Sequence, residues 1–257
     1  MARFMNVIVK PKNRNIIRRD ELNITDVSNK SIKIGIVVGT YGTVPYVHLQ
    51  LESHKRFHPN IPLLVHDDCS NNKNELMKLC NKYNVHFMSN DHRYGHQGGD
   101  WTVFVDGIKW ADNMNIDVLI KISRRLLLID NITDDLLKLI ELKPSHTYAY
   151  ERILRSSGWI QTSLIALTVK NWINNLHKRK GHSVERNMYK AILNFNIPKT
   201  DWISVDVFNK KFIWRSSRKE RKRGHNNIDL YTHFANLWGL NYKEDDFNSF
   251  ATFEGYA

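Results

Sequence analysis

The sequence predicts an α/β protein with a mostly parallel central sheet, helices on both faces and a more variable second half. Three observations predict it. Between residues 31 and 142, short β-branched apolar runs alternate with longer segments of helical period. Each apolar run closes on turn-forming Gly, Asp, Asn or Ser. The runs are apolar at nearly every position, as strands covered by helices on both sides require. With 257 residues, 42% hydrophobic and 25% charged, the chain can bury a sizeable core as a soluble domain.

The elements follow in order. Residues 1–30 are polar and basic with weak periodicity, and read as an N-terminal extension. The run "SIKIGIVVGTYG" is a buried strand closed by a tight loop, and "VPYVHLQLESHKRF" is a helix with Pro45 in its first turn. "IPLLVHDDCSNN" is a second strand ending in acids. "KNELMKLCNKYN" is an amphipathic helix with Leu76, Leu79 and Tyr83 on one face. "VHFMSN" is a short strand, "GDWTVFVDGIKWADNMN" a helix, and "DVLIKIS" a fourth strand. "NITDDLLKLIEL" is a helix with Thr133 as its expected N-cap. After residue 145, "SHTYAYERI" and "WIQTSLIALTV" read as strands and "SVERNMYKAILNFN" as a helix. The tail "HFANLWGLNYKEDDFNSF" reads as an amphipathic helix packed through Phe234, Leu237 and Trp238. No repeat or Gly/Ser linker divides residues 31–257, so they are expected to form one domain.

Composition narrows the function classes. No run approaches the roughly 18–20 apolar residues of a membrane span, and the N-terminus lacks a signal-like apolar stretch. Two cysteines, Cys69 and Cys80, outline no disulfide framework, so a cytoplasmic protein is expected. The net charge of +12 favours anionic partners. Residues 210–225, "KKFIWRSSRKERKRGH", hold eight Lys or Arg and one Glu. This run reads as a mobile basic loop, a phosphate-binding lid or a peripheral membrane contact, the last worth roughly 1 kcal/mol per basic residue near anionic lipid. A nucleic-acid-binding protein is the rival class, resting on the charge and on Trp214 beside Arg215. No zinc spacing, RNP motif or helix-turn-helix pattern supports it, so nucleic acid is not the expected partner.

In a parallel sheet the ligand lies at the carboxyl ends of the strands. Three ends are therefore candidates. Thr40 and Tyr41 close the first strand between Gly39 and Gly42, where glycine lets backbone approach a ligand. Tyr41 offers a ring for a base; an ordinary βα turn has the same composition. Asp67 and Asp68 close the second strand, as ligand acceptors or as turn residues. Ser123, Arg124 and Arg125 close the fourth. Asp100, after Gly98 and Gly99, is either an N-cap or a ligand-facing acid.

Taken together, "IGIVVGTYGTVPYVHLQLESH", "PLLVHDDCS", "YGHQGGDWTVFVDGIKWA" and "IDVLIKISRRLLLIDNITDDLLKLI" resemble, in this order, the GT-A fold of nucleotide-sugar glycosyltransferases of the family-2 type. The likeness spans residues 31–142; the second half is only loosely similar. It implies a nucleotide-binding half over 31–142 and an acceptor half over 143–257. It implies that the acid after the second strand receives a base or ribose, and that a saccharide or lipid-linked acceptor is the second substrate. In that family the fourth strand ends in Asp-x-Asp, which holds a divalent ion against the donor's diphosphate. Here Ser123 and Arg125 take those two positions. Arginine binds no cation but grips phosphate with a permanent charge. The departure implies a glycosyltransferase that needs no divalent metal and no other cofactor. A degenerate transferase, or arginines that face solvent, remain open at this point. A nucleotidyltransferase is a further alternative, though "GTYGTVPY" lacks its long Gly-rich phosphate loop.

The resemblance also points to an acid at a later helix start as general base for an inverting transfer. Glu185 stands there, where an early Glu also suits the helix dipole, and Asp201 and Asp206 are rivals. Trp159, near Glu151, suits a sugar face in the acceptor pocket or a place in the core. His225 and His233 are late histidines with a phosphate contact or a structural place open to them.

Overall fold

In this computed structural model the described residues are 31–42, 44–124, 126–142, 147–149, 153–154, 159–160, 163–173, 184, 186–188, 190, 203–204, 211–214 and 228–248. All belong to one compact unit that begins at Ser31. Its first half alternates as the sequence predicts: β1 (Ile34–Thr40), α1 (Val44–Phe57), β2 (Leu63–Asp67), α2 (Lys73–Lys82), β3 (His86–Ser89), α3 (Gly95–Asn113), β4 (Val118–Ser123), β5 (Leu126–Leu128) and α4 (Thr133–Leu142). The second half supplies β6 (Thr147–Ala149), β7 (Ile153–Leu154), β8 (Trp159–Ile160), β9 (Leu164–Thr168), α5 (Val169–Trp172), β10 (Ile203–Ser204), β11 (Phe212–Trp214), α6 (Ile228–Leu237) and α7 (Glu244–Asn248).

Seven strands form the central sheet in the order β10-β6-β9-β4-β1-β2-β3. β1 pairs in parallel with both β2 and β4, and β2 with β3. β9 runs antiparallel between β4 and β6, so the second half extends the same sheet with one reversed strand. The alternation along β1 shows why the sheet is covered twice. Ile34, Ile36 and Val38 enter a core with Val47 and Leu51 of α1, Leu76 and Cys80 of α2, and Leu136 of α4. Val37 enters the opposite core with Val103, Phe104 and Ile108 of α3, and Val169 and Trp172 of α5. Each such aliphatic side chain removed from water contributes about 1.5–3 kcal/mol, so a strand apolar on both faces is stable only between two helix layers. Cys80 lies within the first core, and burial pushes its thiol up to about 12, which keeps it inert.

The structure departs from the expected elements in several places. Beyond the expected fourth strand, which is β4, Leu126–Leu128 form an additional strand, β5, that leaves the main sheet and pairs antiparallel with β11. α1 makes that exit possible. Gln50 donates its side-chain N–H to the Leu126 carbonyl, and Ser53 donates its hydroxyl to the Leu128 carbonyl at 2.6 Å. The start of the 210–225 run is therefore a docked strand, and Lys211 binds Asp135 at 2.7 Å and the Asn131 carbonyl at 2.7 Å. The hydrogen bond that Lys211 donates to Asp135 holds its pKa above the ordinary value. α4 is capped by Asn131 rather than Thr133, since the Asn131 Oδ1 accepts from both the N–H and the hydroxyl of Thr133. The tail forms two helices, and Leu237 is 63% exposed instead of packed. Tyr231, Trp238 and Phe247 are the side chains that cover Tyr46 and Leu49 on the outer side of α1. No helix among the described residues is long and apolar enough to cross a membrane.

His58 ends α1 in the interior. Its Nε2 accepts from the Ile132 N–H at 3.3 Å, and burial pushes its pKa down to about 4. In the unfolded chain the same ring titrates near its ordinary 6.5. The unfolded state therefore takes the proton first as pH falls, and stability declines from about pH 6.5 down to about 4, by up to roughly 3 kcal/mol. Urea unfolding of wild type and His58→Gln across pH 4.5–7.5 should show a shallower slope in the variant; equal slopes would rule His58 out as the source.

Candidate functional site

The strand order places a crevice. Chain order runs outward from β1 to β2 and β3, returns under the sheet through α3, and resumes at β4 on the other side of β1. The switch point therefore lies between the carboxyl ends of β1 and β4, where open α/β sheets bind ligands. Gly39 and Ser123 are register partners there. Tyr41 follows β1 and Arg124 follows β4. The half-buried Arg124 guanidinium closes the gap by donating from Nη1 to the Tyr41 carbonyl at 3.1 Å. Arg124 thus turns inward, across the switch point.

The two acids after β2 have separate tasks. Asp67 is fully buried. Its carboxylate accepts from the Ser70 N–H at 2.7 Å, from the Ser70 hydroxyl, and from the Ser89 hydroxyl at 3.1 Å. Ser70 Oγ in turn accepts the Gly42 N–H. One carboxylate therefore ties together the tips of β1, β2 and β3, and Gly42 can offer its N–H because it adopts a positive φ of 60°. Asp68 is 6% exposed. Its Oδ1 accepts from the Asn90 amide at 2.8 Å and from the Tyr94 N–H at 3.0 Å, which pins the loop between β3 and α3 at both ends. Its Oδ2 carries no hydrogen bond among the described residues and lies against Gly99, where an added Cβ would stand 2.5 Å away. Thr40 is buried, and its carbonyl accepts the Asp68 N–H at 3.0 Å.

The pinned loop carries a residue that the sequence reading missed. Arg93 is exposed, and its guanidinium lies 4.3 Å from the centre of the Tyr41 ring. His92 and Tyr94, on either side of it in the chain, meet at a tilt of 43° with ring centroids 4.1 Å apart. Arg93 follows β3, so the strand-end rule that selects Tyr41 and Arg124 selects it too.

α3 starts at Gly95, earlier than expected, so Asp100 is inside the helix and not its cap. Its carboxylate pairs at 2.5 Å with Lys121, a 1% exposed lysine of β4 that also lies 5.0 Å from the Phe104 ring centre. A neighbouring pair, His66 of β2 with Asp106 of α3, meets at 3.0 Å. Neither pair was legible from strand ends, because both sit behind them on the sheet face under α3. Ser123 is half-buried, and its N–H donates to the Ser163 carbonyl at 2.8 Å. Trp159 belongs to β8, paired with Leu154 of β7. His233 is on the exposed side of α6, against Phe234. Arg125, Glu151, Glu185, Asp201, Asp206 and His225 lie outside the described residues, as do the Trp159 side chain and residues 215–225.

The sequence matches no protein-family profile and no curated protein sequence. The three-dimensional structure has clear neighbours. A Staphylococcus aureus TarS structure containing UDP-GlcNAc superposes with a TM-score of 0.54 at 13% identity, over 83% of this chain and 69% of that one. The bifunctional glycosyltransferase WbbM gives 0.55 at 12% identity, over 88% and 52%. The Pyrobaculum calidifontis mannosyltransferase PcManGT, with GDP-Man and Mn²⁺, gives 0.52 at 12% identity, over 86% and 68%. The fold is that of the GT-A glycosyltransferases. This chain spans 43% of a longer TarS structure, so it corresponds to one part of that protein. A Leptospira borgpetersenii cytidylyltransferase shares the sheet at a TM-score of 0.50 and 14% identity, over 83% of this chain and 99% of that one.

A divalent ion of the GT-A type fits the observed side chains poorly. At the tip of β4 the donor set is a serine hydroxyl and a guanidinium, which has no lone pair to give. Asp67 has both oxygens engaged, and no group of three or more His, Cys, Asp or Glu side chains among the described residues is placed to hold a metal. Asp67 has a clear consequence for stability. Asp67→Asn turns a donor toward the Ser70 or Ser89 donors and should lower the unfolding free energy by about 2 kcal/mol, measured by urea denaturation. A loss below about 0.5 kcal/mol would mean that the tie is not formed.

Proposed function

We propose that this protein is a nucleotide-sugar glycosyltransferase that works without a divalent metal and passes its sugar to a saccharide or lipid-linked acceptor. The observation that carries the proposal is the Arg124 bridge across the β1–β4 switch point to Tyr41. Its guanidinium lies at the tip of β4, the strand whose end the resemblance assigns to the Asp-x-Asp motif, next to the loop that offers a ring for the base. The UDP-GlcNAc and GDP-Man present in neighbouring structures support a nucleotide-sugar partner.

In the proposed reaction the acceptor hydroxyl attacks the anomeric carbon, the bond to the phosphate oxygen breaks, and negative charge builds on the departing nucleotide. Arg124, together with Arg125, neutralises that charge through planar, charge-assisted hydrogen bonds. Asp68, with Oδ2 unengaged, accepts from a donor edge of the base or from the ribose. Asp67 keeps the loops in place. Ser123 lines the site through its hydroxyl, and Asp100 acts by fixing Lys121 below it. For an inverting transfer Glu185 takes the acceptor proton, and Trp159 offers its face to the acceptor sugar. A single-phosphate donor such as a CMP-sugar would suit an arginine site as well as a diphosphate donor.

Calorimetry with UDP, GDP, TDP and CMP should find a binder whose affinity is unchanged by EDTA; a strict metal requirement would overturn the proposal. Arg124→Ala should weaken that nucleotide about 10- to 100-fold while thermal unfolding stays cooperative. Glu185→Gln should lower turnover by at least 100-fold with donor affinity preserved, and wild-type turnover would clear it of the base role. Release of pyrophosphate from a nucleoside triphosphate would favour the cytidylyltransferase class instead.

A further inference from the structure

We infer that residues 240–248 form a pH-sensitive clasp on the outer side of α1, closed while the ring of His48 is neutral and loosened when that ring takes a second proton. The inference stands apart from the nucleotide-sugar reading, because it uses none of the residues assigned to that site.

The geometry is one line of hydrogen bonds with a fixed direction. His48 and Glu52 lie one turn apart on α1. Tyr83, which ends α2, donates its hydroxyl proton to the Glu52 carboxylate. A tyrosine has a single proton to give, so the Tyr83 oxygen accepts from the His48 Nε2 that lies 2.8 Å away. Nε2 therefore carries the proton of the neutral ring. Nδ1 is then an acceptor, and the Tyr242 hydroxyl donates to it at 2.9 Å. The line runs from Tyr242 through His48 and Tyr83 to Glu52, whose other oxygen pairs with Arg56 at 3.5 Å. A second proton on His48 breaks the pattern at one place. Nδ1 becomes a donor facing a donor, so Tyr242 must turn its proton away or leave.

The segment that carries Tyr242 has its own hinge and few anchors. It follows Gly239, whose positive φ of 76° lies just beyond the end of α6. Leu240 and Phe247 are the buried residues among its described side chains. Phe247 packs edge-on against Tyr46 with ring centroids 5.1 Å apart, and its carbonyl accepts the Tyr46 hydroxyl at 3.3 Å. α6 keeps its own buried residues, Ile228, Tyr231 and Ala235. Opening at Gly239 thus uncovers less apolar surface than release of the whole tail, as a local opening requires.

The charged and titratable groups around the ring come from three elements. α1 supplies Glu52 and Arg56, α2 and its end supply Glu75, Lys82 and Tyr83, and the segment supplies Tyr242 and Asp246. Burial, and then the Lys82 ammonium, hold the His48 pKa below its ordinary 6.5, against the opposite pull of Glu52. Burial raises both tyrosine hydroxyls. Carboxyl, lysine and arginine groups ordinarily titrate outside pH 5.5–7.5, so histidine is the member of this set that changes charge there. Once the segment opens, water reaches the ring and it protonates near its ordinary 6.5, whereas the closed ring protonates only at lower pH. The open form takes the proton first. The clasp is therefore held above about pH 6.5 and loosens as pH falls toward the closed value, by up to about 10-fold in the first pH unit.

Hydrogen exchange tests this, read by mass spectrometry at pH 7.5 and 5.5 and corrected for intrinsic rates. In wild type, protection of residues 240–248 should be about 3- to 10-fold lower at pH 5.5. The amides of β1 report global unfolding in the same sample, and the segment should exchange faster than they do at both pH values. His48→Gln keeps a donor for Tyr83 and an acceptor for Tyr242 but cannot titrate, so its segment should change by less than about 1.5-fold. An equal pH response in His48→Gln overturns the inference, as does a segment that exchanges no faster than β1. Phe247→Ala gives the reciprocal test, away from the ring. It weakens closure, so the titration midpoint of His48, followed by heteronuclear NMR, should rise from its wild-type position toward 6.5. A midpoint that Phe247→Ala leaves unmoved overturns the clasp even if His48→Gln fails to fold.

Discussion

A single buried carboxylate holds the working edge of this protein together. Three parallel strands end side by side, and each would otherwise release its loop independently. Asp67 accepts from Ser70 on its own loop and from Ser89 at the end of β3, and Ser70 passes the connection to Gly42 after β1. Carboxylate hydrogen bonds are stronger than neutral ones and more costly to leave unmade once buried. The three loops are therefore tied to one another through it. Asp68, one residue on, inherits a fixed position from this knot and uses it to hold the loop that carries Arg93. Two adjacent acids of the same chemical type thus divide into a fastener and an aimed group.

The second constraint is the close approach of α3 to the sheet. Added Cβ atoms at Gly39 and Gly107 would stand 2.7 and 3.2 Å from Val103 and Val37. Small residues at these positions let α3 lie near enough for Asp100 to reach Lys121 and Asp106 to reach His66 across the layer. A charged lysine in the middle of a buried strand is tolerable only when such a partner is within reach. The polar pairs and the glycines are therefore two sides of one packing solution, and they set the floor beneath the switch point.

Much of the first half was legible because its signals are local. β-branched runs, helical periodicity and turn residues each operate within ten or so residues, and they located β1 through β4 and α1, α2 and α4 closely. The misreadings have a common cause. No strand was expected directly after Ser123, yet Leu126–Leu128 form β5 outside the main sheet, where Gln50 and Ser53, more than 70 positions earlier, donate to its carbonyls. The basic run looked mobile, yet its start pairs with β5 and Lys211 meets three groups around α4. Thr133 looked like a cap, but the oxygen that caps is that of Asn131.

By itself the sequence determined the α/β class, the number of helix layers and which loops would lie at the carboxyl edge of the sheet, because hydrophobic period and strand polarity follow from neighbouring residues. Only the tertiary structure decided that β9 is reversed, that Asp67 is consumed by its neighbours while Asp68 keeps an oxygen unengaged, and that Arg124 turns inward. Those outcomes depend on partners far away in the chain: 26 positions separate Asp68 from Tyr94, and 83 separate Arg124 from Tyr41. A side chain's chemistry is written locally, but the hydrogen bond it makes is chosen by whatever the fold brings within about 3 Å of it.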